Sequence, residues 1–433
     1  MSGLLATLKI PNVHARPVFN PLSLNDWLVV ALPHAFLLVT TRLAMTAPRD
    51  PVSQATRLLL LPVGLYTYAY VVAFRDYGVG EPRFNARNYG VGLFNFAAAL
   101  KLLEMTFSRT SPRRIIRSAP VTRPSNGDVQ AKATHAQNGA AKPNGPETAA
   151  TTGTLKEIIE YLCDPRLLHY DTKMAQNSHD LETRDTTNRA SFLLSTLFLY
   201  LIHILLLDLF QTTIQSLPNP GLGTPDGGSI FNDSIPPPFR YIISSIAVLC
   251  TGGSVYCGLQ AGHNVLTLVA VGLLGQDPFD YPPIFDKPWL STSVREVWSK
   301  RWHLVLRVFF TSIGAKVGGA LLGDVGAVLG AFTLSGILHD WTIWGMGKGT
   351  DPLRIVGFFY IQGIAVILET LWRGVTGKRV EGWWGRVWTW SFMLISSHLV
   401  VEAWLQHGVA GGDYFLPDQY RPFLQLRNLL LGK

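Results

Sequence analysis

Charge is scarce in this 433-residue chain: Asp, Glu, Lys and Arg make up 15% of it, where a soluble domain carries about 25%. The deficit gathers in uncharged runs of about 18 to 20 residues, the length at which a helix crosses the hydrocarbon core of a bilayer. That excludes a soluble globular fold. Cysteine is rarer still: Cys163, Cys250 and Cys257 show neither metal-ligand nor disulfide-framework spacing. The last two lie in an apolar run and read as small hydrophobes. The Gly-x-Ser-x-Gly, Gly-x-x-x-x-Gly-Lys-Ser/Thr, His-Glu-x-x-His and Gly-x-Gly-x-x-Gly patterns are absent, which removes the hydrolases, nucleotide-binding loops and metallopeptidases they mark. Asp277 and Asp280 flank Pro278-Phe279 like a metal-binding pair, but no second acidic cluster accompanies them, so no metal is expected. Internally repeated halves with broken helices, the mark of many transporters, are also missing. A membrane scaffold remains the other non-enzymatic alternative. No cleavable signal is present: about 25 mixed residues with Pro11, Pro17 and Pro21 precede the first apolar run, which is expected to act as an uncleaved anchor.

What is there is apolar and helical. The fold class expected is an all-α polytopic transmembrane bundle of about eight to ten membrane segments. Residues 1–107 hold the first helices, with runs at Trp27–Met45, Leu58–Phe74 and Tyr89–Phe107. From 108 to 154 the composition turns to Ser, Thr, Pro, Asn, Gly and Ala, with Arg109, Arg113, Arg114, Arg117, Arg123, Lys132 and Lys142 against Asp128 and Glu147. Such a stretch cannot bury enough apolar surface to offset its ordering entropy and is expected as a disordered cytosolic loop. Residues 155–189 form an amphipathic, interfacial segment, with Leu155, Ile158, Ile159 and Leu162 on one helix face. Residues 190–433 form the catalytic transmembrane core. The run Ala190–Phe210 is followed by a loop with no Lys or Arg before Arg240, placing that loop on the lumenal side. It carries the only Asn-x-Ser/Thr sequon, at Asn232, a candidate glycosylation site.

Tyr241–Gln276 contains no Asp, Glu, Lys or Arg. A single straight helix of that length would reach about 54 Å against a core of roughly 30 Å, so two spans, or one span and a re-entrant piece, are expected, with Gly262-His-Asn264 as a candidate break. Further runs cover Leu304–Leu322, Val325–Trp344, Ile355–Leu371 and Val387–Leu405. Strict alternation puts the basic loop Arg373–Arg386 on the lumenal side, against the charge rule, so one segment in this half is expected to be re-entrant. The net charge of +8 sits in loops as the positive-inside tendency requires, and no nucleic-acid partner is expected.

The chemistry is expected between Lys287 and Asp340. A histidine beside an aspartate at membrane depth, His339-Asp340, is costly to keep there unless used. On a helix Ser335 and Gly336 share the His339 face and leave room for a substrate. A neutral imidazole can take the proton of a hydroxyl that attacks a carbonyl. The alternative is a structural histidine bonded to a neighbouring helix, and His34, His203, His263 and His398 also lie in apolar runs, where spacing does not rank them. Upstream, Lys287, Arg295, Lys300, Arg301 and Arg307 interleave with Trp289, Trp298 and Trp302. This pattern suits a phosphorylated, partly aromatic ligand such as coenzyme A, or an ordinary interfacial belt.

Pro288-Trp-Leu-Ser-Thr-Ser-Val-Arg-Glu-Val-Trp-Ser-Lys-Arg-Trp-His303, followed by Ser335-Gly-Ile-Leu-His339, resembles the wax synthase-like branch of the membrane-bound O-acyltransferases. That family reads roughly small-Ser-Leu-x-x-Phe-Trp-x-x-Arg-Trp-Asn/His and then a later histidine. The resemblance covers residues 275–345 well. It implies that His339 is the catalytic base and that His303 stands at the Asn/His position, where many relatives carry Asn; His303 could act on the acyl carbonyl, bind the donor or support the fold. It implies acyl-CoA as co-substrate with no permanently bound cofactor, held by Lys287, Arg295, Lys300, Arg301 and Trp302, and Ser335, Gly336 and Asp340 as supporting residues. It implies direct transfer to a hydrophobic alcohol entering from the lipid bilayer, in a protein of the endoplasmic reticulum. The long polar insertion and the Arg-Trp-His variant are most similar to fungal members that acetylate terpenoid or meroterpenoid alcohols from acetyl-CoA. The alternative within the family is a long-chain wax ester synthase or diacylglycerol acyltransferase.

Overall fold

The computed structural model describes residues 15–78, 80–115, 148–164, 166–168, 170, 181–412 and 416–432. The centre of the expected loop, with Arg117, Arg123, Lys132 and Lys142, lies outside these residues, as do residues 171–180 of the amphipathic segment.

The chain is an all-α bundle of membrane-crossing helices. Seven helices among the described residues are long and apolar enough to cross a bilayer, judged by length and composition. They are α1 (Leu24–Thr46), α2 (Pro51–Ala73), α3 (Ala86–Phe107), α5 (Arg189–Ser216), α6 (Pro237–Leu273), α8 (Arg307–Gly345) and α9 (Pro352–Thr376). Between α3 and α5 comes α4 (Leu155–Cys163), closed at its start by a reciprocal Thr154–Glu157 capping box. Between α6 and α8 lies the short α7 (Val294–Glu296), continued by a wide π-helical turn to Arg301. After α9 follow α10 (Gly382–Gln406) and the short α11 (Pro422–Leu430). The only sheet among the described residues is a two-stranded antiparallel ladder of β1 (Arg113–Ile115) on β2 (Thr148–Ala150). The polar stretch expected to be unstructured over 108–154 is thus tied at its base, where the paired backbone satisfies groups beside the bundle.

Two expectations for the second half are settled by packing. The apolar run 241–276 does not break at Gly262-His-Asn264: α6 is one continuous helix through it, ending in a π-helical turn at Leu268–Leu273. Nothing lies within 4 Å of where a Cβ on Gly262 would sit, so no neighbour intrudes to replace the helical hydrogen bonds a break would strand in an apolar setting. Helix α8 is instead the bent element. It folds back at Leu322 and Gly323, the latter at φ 61° and ψ −146°, a conformation open to glycine. Its two arms touch backbone to backbone: a Cβ on Gly318 would fall 1.9 Å from the Gly326 carbonyl oxygen. Glycine is required there by contact rather than by flexibility.

These contacts fix the levels of the second half. Val294 and Arg295 meet Glu369 of α9, Trp298 meets Gln362 one helical stretch deeper, and Gly336 meets Val356 deeper still. The segment from Val294 to the α8 bend therefore enters the bundle and returns to the end it came from. The second arm of α8 then crosses, and α9 crosses back. Arg373–Arg386 consequently lies at the same end as the loop before α7, and the conflict with the charge rule disappears because the re-entrant segment shifts the alternation by one. At the opposite end, the loop after α5 is pinned by Glu402 of α10, which accepts from Ser229 Oγ and Ile230 N–H, both at 2.8 Å. There too Arg421 meets Asp208 of α5 at 2.9 Å, both side chains buried.

Candidate functional site

The inward face of the re-entrant segment, the second arm of α8, and α5, α6, α9 and α10 enclose a cavity of about 1250 Å³, above the usual 300–1,000 Å³ of ligand pockets. His303 and His339 both line it, with Trp298, Trp302, Ser335 and Trp404.

His339 is held on three sides. Its Nδ1 lies 2.7 Å from the Ser335 carbonyl oxygen one turn back. A carbonyl can only accept, so Nδ1 carries the proton and Nε2 is left with its lone pair. Phe359 stacks on the ring at 4.5 Å between centroids and 25° between planes, and Trp404 lies tilted by 32° at 5.9 Å. Asp340 is not the partner of His339: its carboxylate accepts the Asp351 backbone N–H at 2.7 Å and closes the turn into α9. Nor does Gly336 make room for a substrate. A Cβ there would sit 2.7 Å from Val356 Cα, so its smallness serves the α8–α9 contact. Ser335 does line the cavity, and its backbone carbonyl is what orients His339.

His303 follows the π-helical turn, edge-on to Phe285 at 5.8 Å. Trp298 anchors that turn. Its Nε1 donates to Gln362 Oε1 at 3.2 Å, Gln362 is wholly buried and donates in turn to Ser396 Oγ at 2.9 Å, and the Trp298 ring packs on Trp302, Phe332, Phe358 and Phe359. The same Phe359 stacks on His339, so one aromatic cluster ties the two histidine-bearing elements together. At the start of α7, Glu369 accepts the Val294 and Arg295 N–H groups at 2.7 and 3.0 Å and the Trp388 indole N–H at 2.9 Å.

The basic residues separate. Arg301 is committed internally, to Glu296 at 2.8 Å and to the Asp286 backbone and carboxylate at 3.0 and 3.4 Å. Burial would raise the Glu296 carboxyl, yet the Thr292 N–H and Arg301 hold it below its ordinary value, so this pair stays ionised. Arg307 donates to the Ser299 carbonyl at 2.7 Å at the cavity wall. Lys287, Arg295 and Lys300 are exposed. Arg295 and Ser299 line both the cavity and a second hollow of about 450 Å³, which also holds Lys300, Arg373 and Arg379.

Of the other histidines, only His203 is among the cavity walls; its Nδ1 sits 2.6 Å from the Leu199 carbonyl. His34 is bonded to Tyr68 and His398 to Ser244. Sequence reading passed over Glu369, Gln362, Arg373 and Arg379 as site residues. The first two had a readable signal, as the polar side chains inside the otherwise apolar run Ile355–Leu371. The arginines had none beyond their charge.

Residues 281–361 match the membrane bound O-acyl transferase family. This family segment contains His303, His339 and the basic, Trp-rich entry, while His203, Glu369, Arg373 and Arg379 lie outside it. The chain is 28% identical over 127 residues to Acyl-CoA–sterol O-acyltransferase 1 of Arabidopsis thaliana, covering 28% of this chain and 36% of that protein. It is 26% identical over 132 residues to a long-chain-alcohol O-fatty-acyltransferase of Simmondsia chinensis, covering 28% and 37%. It is also 25% identical over 238 residues to Acetyltransferase ataH of Aspergillus terreus, covering 49% and 77%. The chain thus spans little more than a third of the first two relatives, and the resemblance to the wax synthase-like branch is borne out by the family segment and by relatives of both kinds, fatty-acyl and acetyl.

Proposed function

We propose that this protein is an acyl-CoA:alcohol O-acyltransferase, and within that class an O-acetyltransferase that passes the acetyl group of acetyl-CoA to a hydroxyl of a hydrophobic terpenoid or meroterpenoid. The observation that carries the reading is the His339 Nε2, left as a lone-pair acceptor on the wall of a large, mainly apolar cavity by the Nδ1 bond to Ser335. In the reaction, Nε2 takes the hydroxyl proton as the alcohol oxygen attacks the thioester carbonyl. The carbon–sulfur bond then breaks, and the imidazolium returns its proton to the departing thiolate, giving ester and free coenzyme A with no acyl-enzyme. His303 lines the same cavity, where acting on the acyl carbonyl, binding the donor and supporting the fold are its three possible roles. The acceptor enters from the bilayer, and the protein works in the endoplasmic reticulum with Asn232 on the lumenal side.

The acetyl preference rests on similarity to the fungal acetyltransferase, and the cavity volume suits a polycyclic acceptor. A second reading, fatty-acyl transfer to long-chain alcohols, draws on the plant relative of that activity. Microsomes carrying the wild-type chain or His339→Ala, at matched protein levels, would be given labelled acetyl-CoA or palmitoyl-CoA with terpenoid alcohols, sterols and fatty alcohols. Acetyl transfer to a terpenoid alcohol, reduced about 10²- to 10⁴-fold in the variant, is the expected result. Palmitoyl transfer alone would install the second reading. Undiminished transfer by His339→Ala would remove this histidine as base.

A further inference from the structure

What the ring nitrogens meet divides the histidines of the apolar runs. His34 Nδ1 meets the Tyr68 hydroxyl at 2.9 Å, and His398 is held at both nitrogens, by the Leu394 carbonyl at 2.9 Å and Ser244 Oγ at 3.1 Å. These two are bonded to neighbouring helices and are structural. His263 lies off the cavity wall, with its Nε2 buried. His203 instead repeats the arrangement of His339. It is 8% exposed, its Nδ1 lies 2.6 Å from the Leu199 carbonyl one turn back, and among the described residues no hydrogen-bond partner meets its Nε2. His203 comes from α5 and His339 from α8, and both rings line the same cavity.

The Leu199 carbonyl can only accept, so the His203 proton sits on Nδ1. An imidazolium in an apolar wall without a carboxylate partner is costly, which leaves the ring neutral and Nε2 a pure acceptor. The other oxygen-bearing side chains that α5 and α6 give to this wall are Thr251 and Tyr256. Thr251 is buried and its Oγ1 has no partner, whereas Thr213 of α5 and Thr267 of α6 each return the hydroxyl to the carbonyl four residues back at 2.8 Å. Tyr256 packs on His203 at 5.7 Å and on Phe285 at 4.6 Å, and Phe285 meets His303 at 5.8 Å. This ladder of rings sets His203 apart from the family's histidine positions while keeping it in the same space. Buried polar groups are normally satisfied within the protein. A polar corner left open onto a cavity is where a ligand supplies the missing partner.

We propose that His203 reads a second hydroxyl of the acceptor, so that the substrate is a polycyclic diol. One O–H donates to His339 Nε2 and is acylated; the other donates to His203 Nε2 and is not. This deepens the acceptor reading above and rests on it for the reaction. The chemistry selects sharply. A lone-pair acceptor binds a hydroxyl, which brings a proton, and repels a ketone or ether oxygen, which brings only lone pairs. An apolar wall could not draw that distinction.

The test uses steroids of one skeleton: androstanediol, the two hydroxy-ketones made by oxidising either of its hydroxyls, and androstanol, which has one hydroxyl. Purified full-length wild type, His203→Phe and His203→Gln would be compared by binding of tritiated androstanediol, by competition with the other steroids, and by turnover with acetyl-CoA. Wild type should hold the diol about ten- to a hundredfold more tightly than the hydroxy-ketones or androstanol, and the preference should appear in KM rather than kcat. His203→Phe, which fills the space of the ring without a lone pair, should abolish the preference. His203→Gln, whose amide oxygen accepts, should keep part of it. Each preference is a ratio within one preparation, so a smaller folded fraction cancels; if the phenylalanine variant does not fold, the glutamine variant and the wild-type series carry the comparison. Equal affinity of wild type for diol and hydroxy-ketones, no binding of the diol, or a diol preference that survives His203→Phe would each overturn the proposal. An equal loss of transfer for every steroid in His203→Phe would overturn it too, making His203 a second base or a support of the fold. Selective binding of a diol that is never acylated would sink the transferase reading and leave the hydroxyl subsite standing.

Discussion

Replacing Glu369 by Gln should disconnect the re-entrant segment from α9. The carboxylate accepts three N–H groups, from Val294, Arg295 and Trp388. An amide keeps one acceptor oxygen and turns an NH2 toward donors, so at least one backbone N–H loses its partner. Hydrogen bonds to a charged group contribute about 1.5–3 kcal/mol each, and the substitution should cost about 2–4 kcal/mol of stability. Its particular consequence is positional. Trp298 and His303 follow Val294 within one short segment, and a displacement of about 1 Å at a reacting centre can cost about 10²-fold in rate. The comparison is Asp208→Asn, which breaks a buried ion pair with Arg421, at about 3–5 kcal/mol, on a side chain outside the cavity wall. Denaturation midpoints in detergent and initial rates at varied acyl-CoA would be measured for both. Both variants should lose stability, and only Glu369→Gln should lower kcat and raise KM in the surviving folded protein. If the two depress activity equally per folded molecule, or if Glu369→Gln keeps wild-type rates, Glu369 does not position the segment.

Three further outcomes are expected. Ser335→Ala should keep activity within about threefold, a difference of some 0.6 kcal/mol, because the backbone carbonyl rather than the hydroxyl orients His339; a loss as deep as that of His339→Ala in the same assay would contradict this. Gly336→Ala should lower the unfolding midpoint by an amount corresponding to about 1–3 kcal/mol, since its Cβ would meet Val356, and a stability equal to wild type would show that α8 and α9 can part freely. Arg301→Met should destabilise the segment while leaving coenzyme A affinity per folded molecule unchanged, because its guanidinium is spent on Glu296 and Asp286; a selective loss of that affinity would return Arg301 to the ligand.

The chain's helical, membrane-spanning character and the placing of His339 on an apolar helix were legible along the sequence, because both are local. An uncharged run of sufficient length leaves the backbone no partner but itself in lipid, and a lone histidine in such a run is conspicuous by its cost. The Gly323-Asp324 joint between the last arms of α8 was readable for the same reason, since only glycine accepts the backbone angles of that bend. What the sequence could not supply was the choice of partners. His339-Asp340 reads as a pair, but adjacent residues on a helix point about 100° apart, and each side chain found its partner elsewhere: Ser335 one turn back, Asp351 across a loop. Gly336 gave its smallness to α9 rather than to a substrate, and Arg301 gave its charge to Glu296. Arg373 and Arg379 joined Arg295 only because the segment between them enters the bundle and turns back. Sequence determined which segments leave water. Tertiary packing decided which polar groups then met, because each buried donor or acceptor must be satisfied by whatever helix the fold brings beside it.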